Sequence, residues 1–190
     1  MSYLGTTQTL FVKEVSNEGA YLDGHDLGEV FLPKQEIKHE LEAGDSISVF
    51  IFLDNANLAT ATIKKPHAQV GEYALLRVKE INSIGAFLDW GLEKDVLAPF
   101  NEQKPRMQEG HSYLVRLYLD NASQRICASN NFNRFLSKDE PQYTHLQEVD
   151  LIVAGKTDIG YKVLIEEFFG KKNYDLITQI CSTTISRFGY

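Results

Sequence analysis

The chain has 190 residues, with 19 Lys+Arg against 26 Asp+Glu, a net charge of -7 and 43% hydrophobic residues. This composition excludes disordered, collagen-like and coiled-coil chains and allows one medium domain or two to three small ones. The acid excess excludes a protein that coats nucleic acid by bulk charge, since such domains generally have a pI above about 9.

The opening stretch, MSYLGTTQTLFVKEV, lacks a basic region followed by an apolar core and does not read as a secretory signal. No apolar run approaches the roughly 20 residues that span a bilayer. The two cysteines, Cys127 and Cys181, have no CxxC spacing, so a disulfide framework is not expected and a cytoplasmic location is.

From Leu10 the segment LFVKEVSNEGAYLD gives two short apolar runs separated by a turn. Residues 46–53 then alternate: Ile47, Val49, Ile51 and Leu53 share one face, as a half-buried strand requires. Phe50 and Phe52 lie on the opposite face, making this strand apolar on both sides. That second face predicts an interface, with a second domain or with another chain. Between these runs, PKQEIKHELEAGD predicts one or two helical turns ending at Gly44. Asp23, Asp26 and Glu29 cluster near Gly24 and Gly28, where turn formation is the commoner meaning than a metal site.

After a short linker at residues 64–67 the chain repeats itself. An offset of 66 sets LFVKEVSNEGAYLD over LRVKEINSIGAFLD from Leu76, and residues 10–62 match their counterparts at 19 of 53 positions. Average composition would give about three. In this second copy strands are expected near 74–81, 85–90, 94–98, 112–119 and 124–129. Residues 82–83 and 121–123 are turn signals, and Asp54 and Asp120 open the same turn in both copies. A second linker, residues 137–144, leads to VDLIVAGKTDIGYKVLI, in which Val153 and Gly160 match Val78 and Gly85; only the first hairpin of a third copy is recognisable.

Five strands with a short connector after the third, in about 60 residues, outline a small Greek-key barrel of the OB type. The expected fold is therefore all-β: tandem five-stranded OB-fold barrels with a partial third β-unit at the C-terminus. The expected divisions are residues 1–65, 68–136 and 146–190.

The Gly-Ala-aromatic-Leu-Asp pattern after a Val-x-x-Val/Ile strand, followed by Val-x-x-Pro and Gly-x-x-x-x-Val, resembles the S1 RNA-binding domain. DVLAPFNEQ from Asp95, LVRLYLDNAS from Leu114 and TDIGYKVLI from Thr157 resemble, more narrowly, the conserved virulence factor B family of bacteria. That resemblance covers roughly residues 3–165. It implies a cytoplasmic RNA-binding regulator, connected with virulence, built from tandem S1-like barrels and a winged helix. The 25 residues after Ile165 are too few to complete a third barrel and a winged helix. RNA-binding S1 domains usually carry an aromatic before the Gly-Ala pair and a histidine after the third strand. Here Glu18 and Pro33 hold those positions in copy one, and Ile84 and Pro99 in copy two. Only the second aromatic is kept, as Tyr21 and Phe87.

Single-strand-binding barrels combine cations with aromatics on which bases stack. Residues 67–135 carry 8 basic and 8 acidic groups and five of the six arginines, whereas residues 1–66 carry 5 and 10. Arg77, Lys79, Phe87, Trp90, Arg116, Tyr118 and Arg125 in copy two, with Tyr21 in copy one, are the candidate RNA-binding residues. The expected function is an RNA-binding regulatory protein that holds single-stranded RNA, with single-stranded DNA as the related ligand, mainly through the second barrel and acts post-transcriptionally. The other class weighed is a protein-interaction adaptor docking a protein partner through the Phe50/Phe52 face without RNA. No catalytic residues, cofactor, metal site or membrane partner is expected. The histidines at 25, 39, 67, 111 and 145 lack ligand spacing, and no nucleotide or nucleophile motif is found.

Overall fold

The computed structural model describes residues 3–54, 56–136, 148–157 and 160–165. Two compact units divide the chain, Met1–Asn131, which holds two barrels, and Phe132–Tyr190. The first barrel comprises β1 (Thr7–Val15), β2 (Gly19–Asp23), β3 (Glu29–Pro33), β4 (Ser46–Leu53) and β5 (Ala59–Thr62). The second comprises β6 (Tyr73–Ile81), β7 (Gly85–Asp89), β8 (Val96–Pro99), β9 (Ser112–Leu119) and β10 (Ile126–Ser129). Each closes in the order first, second, third, fifth, fourth, with the third and fifth strands parallel. That is the OB topology, and the expected all-β fold is the one observed.

Alternation builds both cores. In barrel 2, Ala74, Leu76, Val78, Ala86, Leu88, Val96, Ala98, Val115, Leu117 and Ala128 point inward and are buried, and the intervening residues point out. The Gly-Ala pair has a steric cause. A Cβ on Gly85 would lie 2.3 Å from the carbonyl oxygen of Ala98, and one on Gly19 would lie 2.1 Å from that of Leu32. Only glycine lets the third strand approach this closely. The turns at Asp54 and Asp120 are likewise backbone devices. Asp54 Oδ1 accepts from the amides of Ala56 and Leu58, and Asp120 Oδ2 from that of Ser123.

The long first strand bulges between Val12 and Glu14 in barrel 1 and between Val78 and Glu80 in barrel 2. A bulge bends the strand and increases its twist, which helps five strands close. The helix expected before Gly44 reduces to a three-residue 3-10 turn, Lys34–Glu36. Gly44 caps no helix; at φ +98° it turns the chain so that its amide donates to Val12 O at 2.8 Å.

The barrels are fused rather than strung on a hinge. Phe50 of β4 is 1% exposed and belongs to the core of barrel 2, where its ring meets Trp90 edge-on at 5.6 Å. Leu119 of barrel 2 packs in turn against the core of barrel 1. The linker is tied at both ends: Val70 N donates to Gly5 O and His67 N to Trp90 O, each at 2.8 Å. The two-sided apolar strand is thus an interface, and its partner is the second copy.

The second unit, among its described residues, opens with a 3-10 turn, Phe132–Phe135, and contains the hairpin β11 (Leu151–Thr157) and β12 (Gly160–Ile165). Its register shifts between Val153 and Gly155. The second expected linker and the chain beyond Ile165 lie outside the described residues. No helix of the described residues is long and apolar enough to cross a membrane.

Candidate nucleic-acid interface

Outward residues of adjacent strands line up in rows, because paired residues share a face. In barrel 2 one row runs Glu80, Phe87, Leu97, Cys127, Tyr118 across β6, β7, β8, β10 and β9. Its first four residues line an open groove of about 650 Å³. Asn82 and Ile84 of the β6–β7 loop close one end, Ser123 and Arg125 of the β9–β10 loop the other, and Phe52 and Asp54 of barrel 1 add a wall. Ile84 is 55% exposed and Phe87 half-buried, so both present apolar surface to a ligand. Arg125 Nη2 donates to Asn57 Oδ1 of barrel 1 at 2.9 Å. The β9–β10 loop has one residue more than the β4–β5 loop of barrel 1, and the arginine comes from this longer loop.

The candidate residues fall into three groups. Phe87 and Arg125 line the groove; Lys79 does not, but it donates to Asp95, which does. The Lys79 ammonium is 2.8 Å from Asp95 and 3.7 Å from Asp89, and the hydrogen bond with Asp95 raises its pKa above the ordinary lysine value. This cation is therefore already engaged.

Trp90 does not stand on the surface as expected. It is 5% exposed, its Nε1 donates to Lys94 O, and its ring packs edge-on against Phe50 at the seam, where it also contributes to the floor of the groove. Arg77 and Arg116 lie outside the groove. Arg77 is exposed on β6 opposite Asp89 and Ser112, and the Arg116 guanidinium lies 5.3 Å from the centre of the Tyr73 ring. Tyr118, at the end of the row, does not line the groove; it is bonded to Cys127, whose burial pushes the thiol pKa up to about 11. Tyr21 is in barrel 1, its ring 5.3 Å from Phe31.

Sequence reasoning missed Ile84, Leu97 and Lys94 as lining residues, and Phe52 as a contribution from the other barrel. Alternation marked Leu97 as outward on β8; no local signal announced Phe52 or Lys94. The groove carries three carboxylates, Asp54, Glu80 and Asp95, against two cations, Lys94 and Arg125. It therefore attracts phosphate only locally. Phe50, the leading residue of the expected protein-docking face, is covered by barrel 2 and is not presented to a separate partner. Among the described residues no group of three or more His, Cys, Asp or Glu is arranged to hold a metal ion.

Comparisons with known proteins agree with the two-barrel fold. The S1 domain family profile matches residues 4–64 and 70–129, one match per barrel. The uncharacterized protein YitL of Bacillus subtilis (strain 168) is 31% identical over 103 residues, covering 53% of this chain and 34% of that protein. Conserved virulence factor B of Staphylococcus haemolyticus (strain JCSC1435) is 27% identical over 177 residues, covering 83% of this chain and 59% of its own length. The chain thus spans about 60% of that relative and about a third of YitL. A crystal structure of a multidomain protein with nucleic acid binding domains from Streptococcus pneumoniae superposes with a TM-score of 0.57. It is 20% identical and covers 87% of this chain and 60% of its own, which is likeness of fold. Two consecutive profile matches, one per closed barrel, carry the conclusion: the chain belongs to the S1 domain family, as a tandem-S1 protein similar to conserved virulence factor B.

Proposed function

We propose that the chain is a binding protein rather than an enzyme, that it holds single-stranded RNA in the barrel 2 groove, and that it thereby regulates gene expression post-transcriptionally. One observation carries the reading. The groove occupies the face of the second and third strands, between the first and last hairpin loops, where OB barrels take up oligonucleotides. Phe87 and Ile84 supply the apolar platform, and Arg125 and Lys94 supply the cations. Membership of the S1 family supports it, as does the description of the pneumococcal fold relative as carrying nucleic acid binding domains.

Two phosphate-contacting cations set a modest salt dependence, a slope of roughly -1.4 in log K against log salt for a single strand. Affinity for an RNA 12-mer should fall about sevenfold between 50 and 200 mM salt. Phe87→Ala should remove one stacked base, worth about 1–3 kcal/mol, and weaken binding roughly 5- to 150-fold. Fluorescence anisotropy with matched RNA and DNA 12-mers tests all three points. No binding at 50 mM salt, or a Phe87→Ala protein that binds as tightly as the parent, refutes the reading. Equal affinity for the DNA 12-mer refutes the preference for RNA.

A further inference from the structure

We infer that the two barrels form one continuous track for a single strand, which leaves the barrel 2 groove at Phe52 and continues over barrel 1 to Phe31 and Tyr21. This rests on the proposed use of the barrel 2 groove and extends it to a ligand length and a direction. A second depression, about 200 Å³, opens beside the first. The two share Phe52, Asp54, Trp90 and Lys94, so they meet along one wall. Thr60 and Thr62 line the second depression together with Pro33, Glu36, Glu93 and Lys64. The Lys64 ammonium lies 3.9 Å from Glu36 and 3.6 Å from Glu93, so this stretch offers stacking and hydroxyl contacts more than free positive charge.

Beyond it the strand pairing supplies the path. Phe52 is paired with Thr60, Thr60 with Phe31, and Phe31 with Tyr21, so these four outward residues form one row across β4, β5, β3 and β2. It is the counterpart of the Tyr118, Cys127, Leu97, Phe87 row in barrel 2. The row ends on two aromatic rings with centres 5.3 Å apart, a stacking surface. Copy one lacks arginine, and by itself it makes a poor phosphate site. Placed downstream of Arg125 and Lys94 it needs only to stack bases that the second barrel has already captured.

The joint between the barrels favours this arrangement. Phe50 and Leu119 are exchanged between the cores, both ends of the linker are hydrogen-bonded, and Arg125 grips Asn57 across the seam. A ligand crossing from one barrel to the other meets a surface that is already in register, so no ordering of domains opposes binding.

One OB barrel takes about four nucleotides or more, so a strand filling both requires roughly eight or more. The test uses 5′-fluorescein-labelled oligouridylates of 5 and 12 nucleotides on the full chain. Length alone gives a statistical gain of several-fold, so the variants decide. Tyr21→Ala should weaken the 12-mer at least about fivefold and leave the 5-mer within about twofold, whereas Phe87→Ala weakens both. Lys64→Glu, on the rim and away from either core, should also weaken the 12-mer alone, and it serves if Tyr21→Ala does not fold. A 12-mer unaffected by both Tyr21→Ala and Lys64→Glu overturns the track, while the barrel 2 reading stands as long as Phe87→Ala still weakens both lengths. A 5-mer weakened by Tyr21→Ala as much as the 12-mer also overturns it, because barrel 1 is then an independent site. If Phe87→Ala changes neither length, the barrel 2 reading fails and takes the track with it.

Discussion

Phe50→Ala offers the sharpest test of how the barrels are joined. The side chain is 1% exposed, leaves barrel 1 entirely and fills barrel 2 beside Trp90. Removing a buried phenyl ring costs about 3–5 kcal/mol, as lost transfer energy plus the void left behind. With a urea m-value of about 2 kcal/mol/M, within the range for small proteins, the midpoint should fall by roughly 1.5–2.5 M. Trp90 is the single tryptophan of the chain, so its emission reports on the seam directly. The parent should unfold with coincident fluorescence and far-ultraviolet dichroism curves. In the variant the native emission should shift to the red while the dichroism below the transition is unchanged. A midpoint shift below about 0.5 M, equivalent to about 1 kcal/mol, or native emission identical to the parent's, refutes the claim that this ring holds the barrels together.

Two further outcomes follow from the local geometry. Gly85→Ala drives a methyl group to 2.3 Å from the Ala98 carbonyl, and overpacking of this kind should cost about 1–3 kcal/mol in a denaturation curve; a neutral variant shows that β8 can move away freely. In a Cys181→Ser background the Cys127 thiol, held protonated by burial with a pKa pushed up to about 11, should react with Ellman's reagent at pH 8 far more slowly when native than in urea. Because the folded value lies above the ordinary 9.0, this contribution to stability is complete below pH 9 and is lost as pH rises through about 11. Equal rates in the two states refute the burial argument.

The duplication, the five strands per copy and the outward face of each strand were legible because period-two alternation and self-similarity are local signals. Alternation also held the correct answer for Trp90. It shares parity with Leu88, not with Phe87, so it points inward, and grouping it with the exposed aromatics overrode that signal. Arg77, Lys79 and Arg116 are outward, as alternation predicts, yet a barrel has no single outer face: Glu80 of β6 lines the groove and these three residues do not. The engagement of Lys79 depends on Asp95, 16 residues away, and the bond of Arg125 on Asn57, 68 residues away. Neither pairing has a periodic signature. Ile84, read as a missing aromatic, still supplies exposed apolar surface at the lip of the groove. Residue type alone understated what that position does.

The bulge in the first strand is shared by the three hairpins. It falls between Val12 and Glu14, between Val78 and Glu80, and between Val153 and Gly155, and these sites coincide under the two repeat offsets of 66 and 75 residues. The bend thus recurs at one equivalent site in each hairpin, while the loops, charges and seams around it differ. A bulge that re-aims the strand is a property of the hairpin itself, and it is present in the β11–β12 hairpin, which forms a two-stranded sheet, as in the two closed barrels.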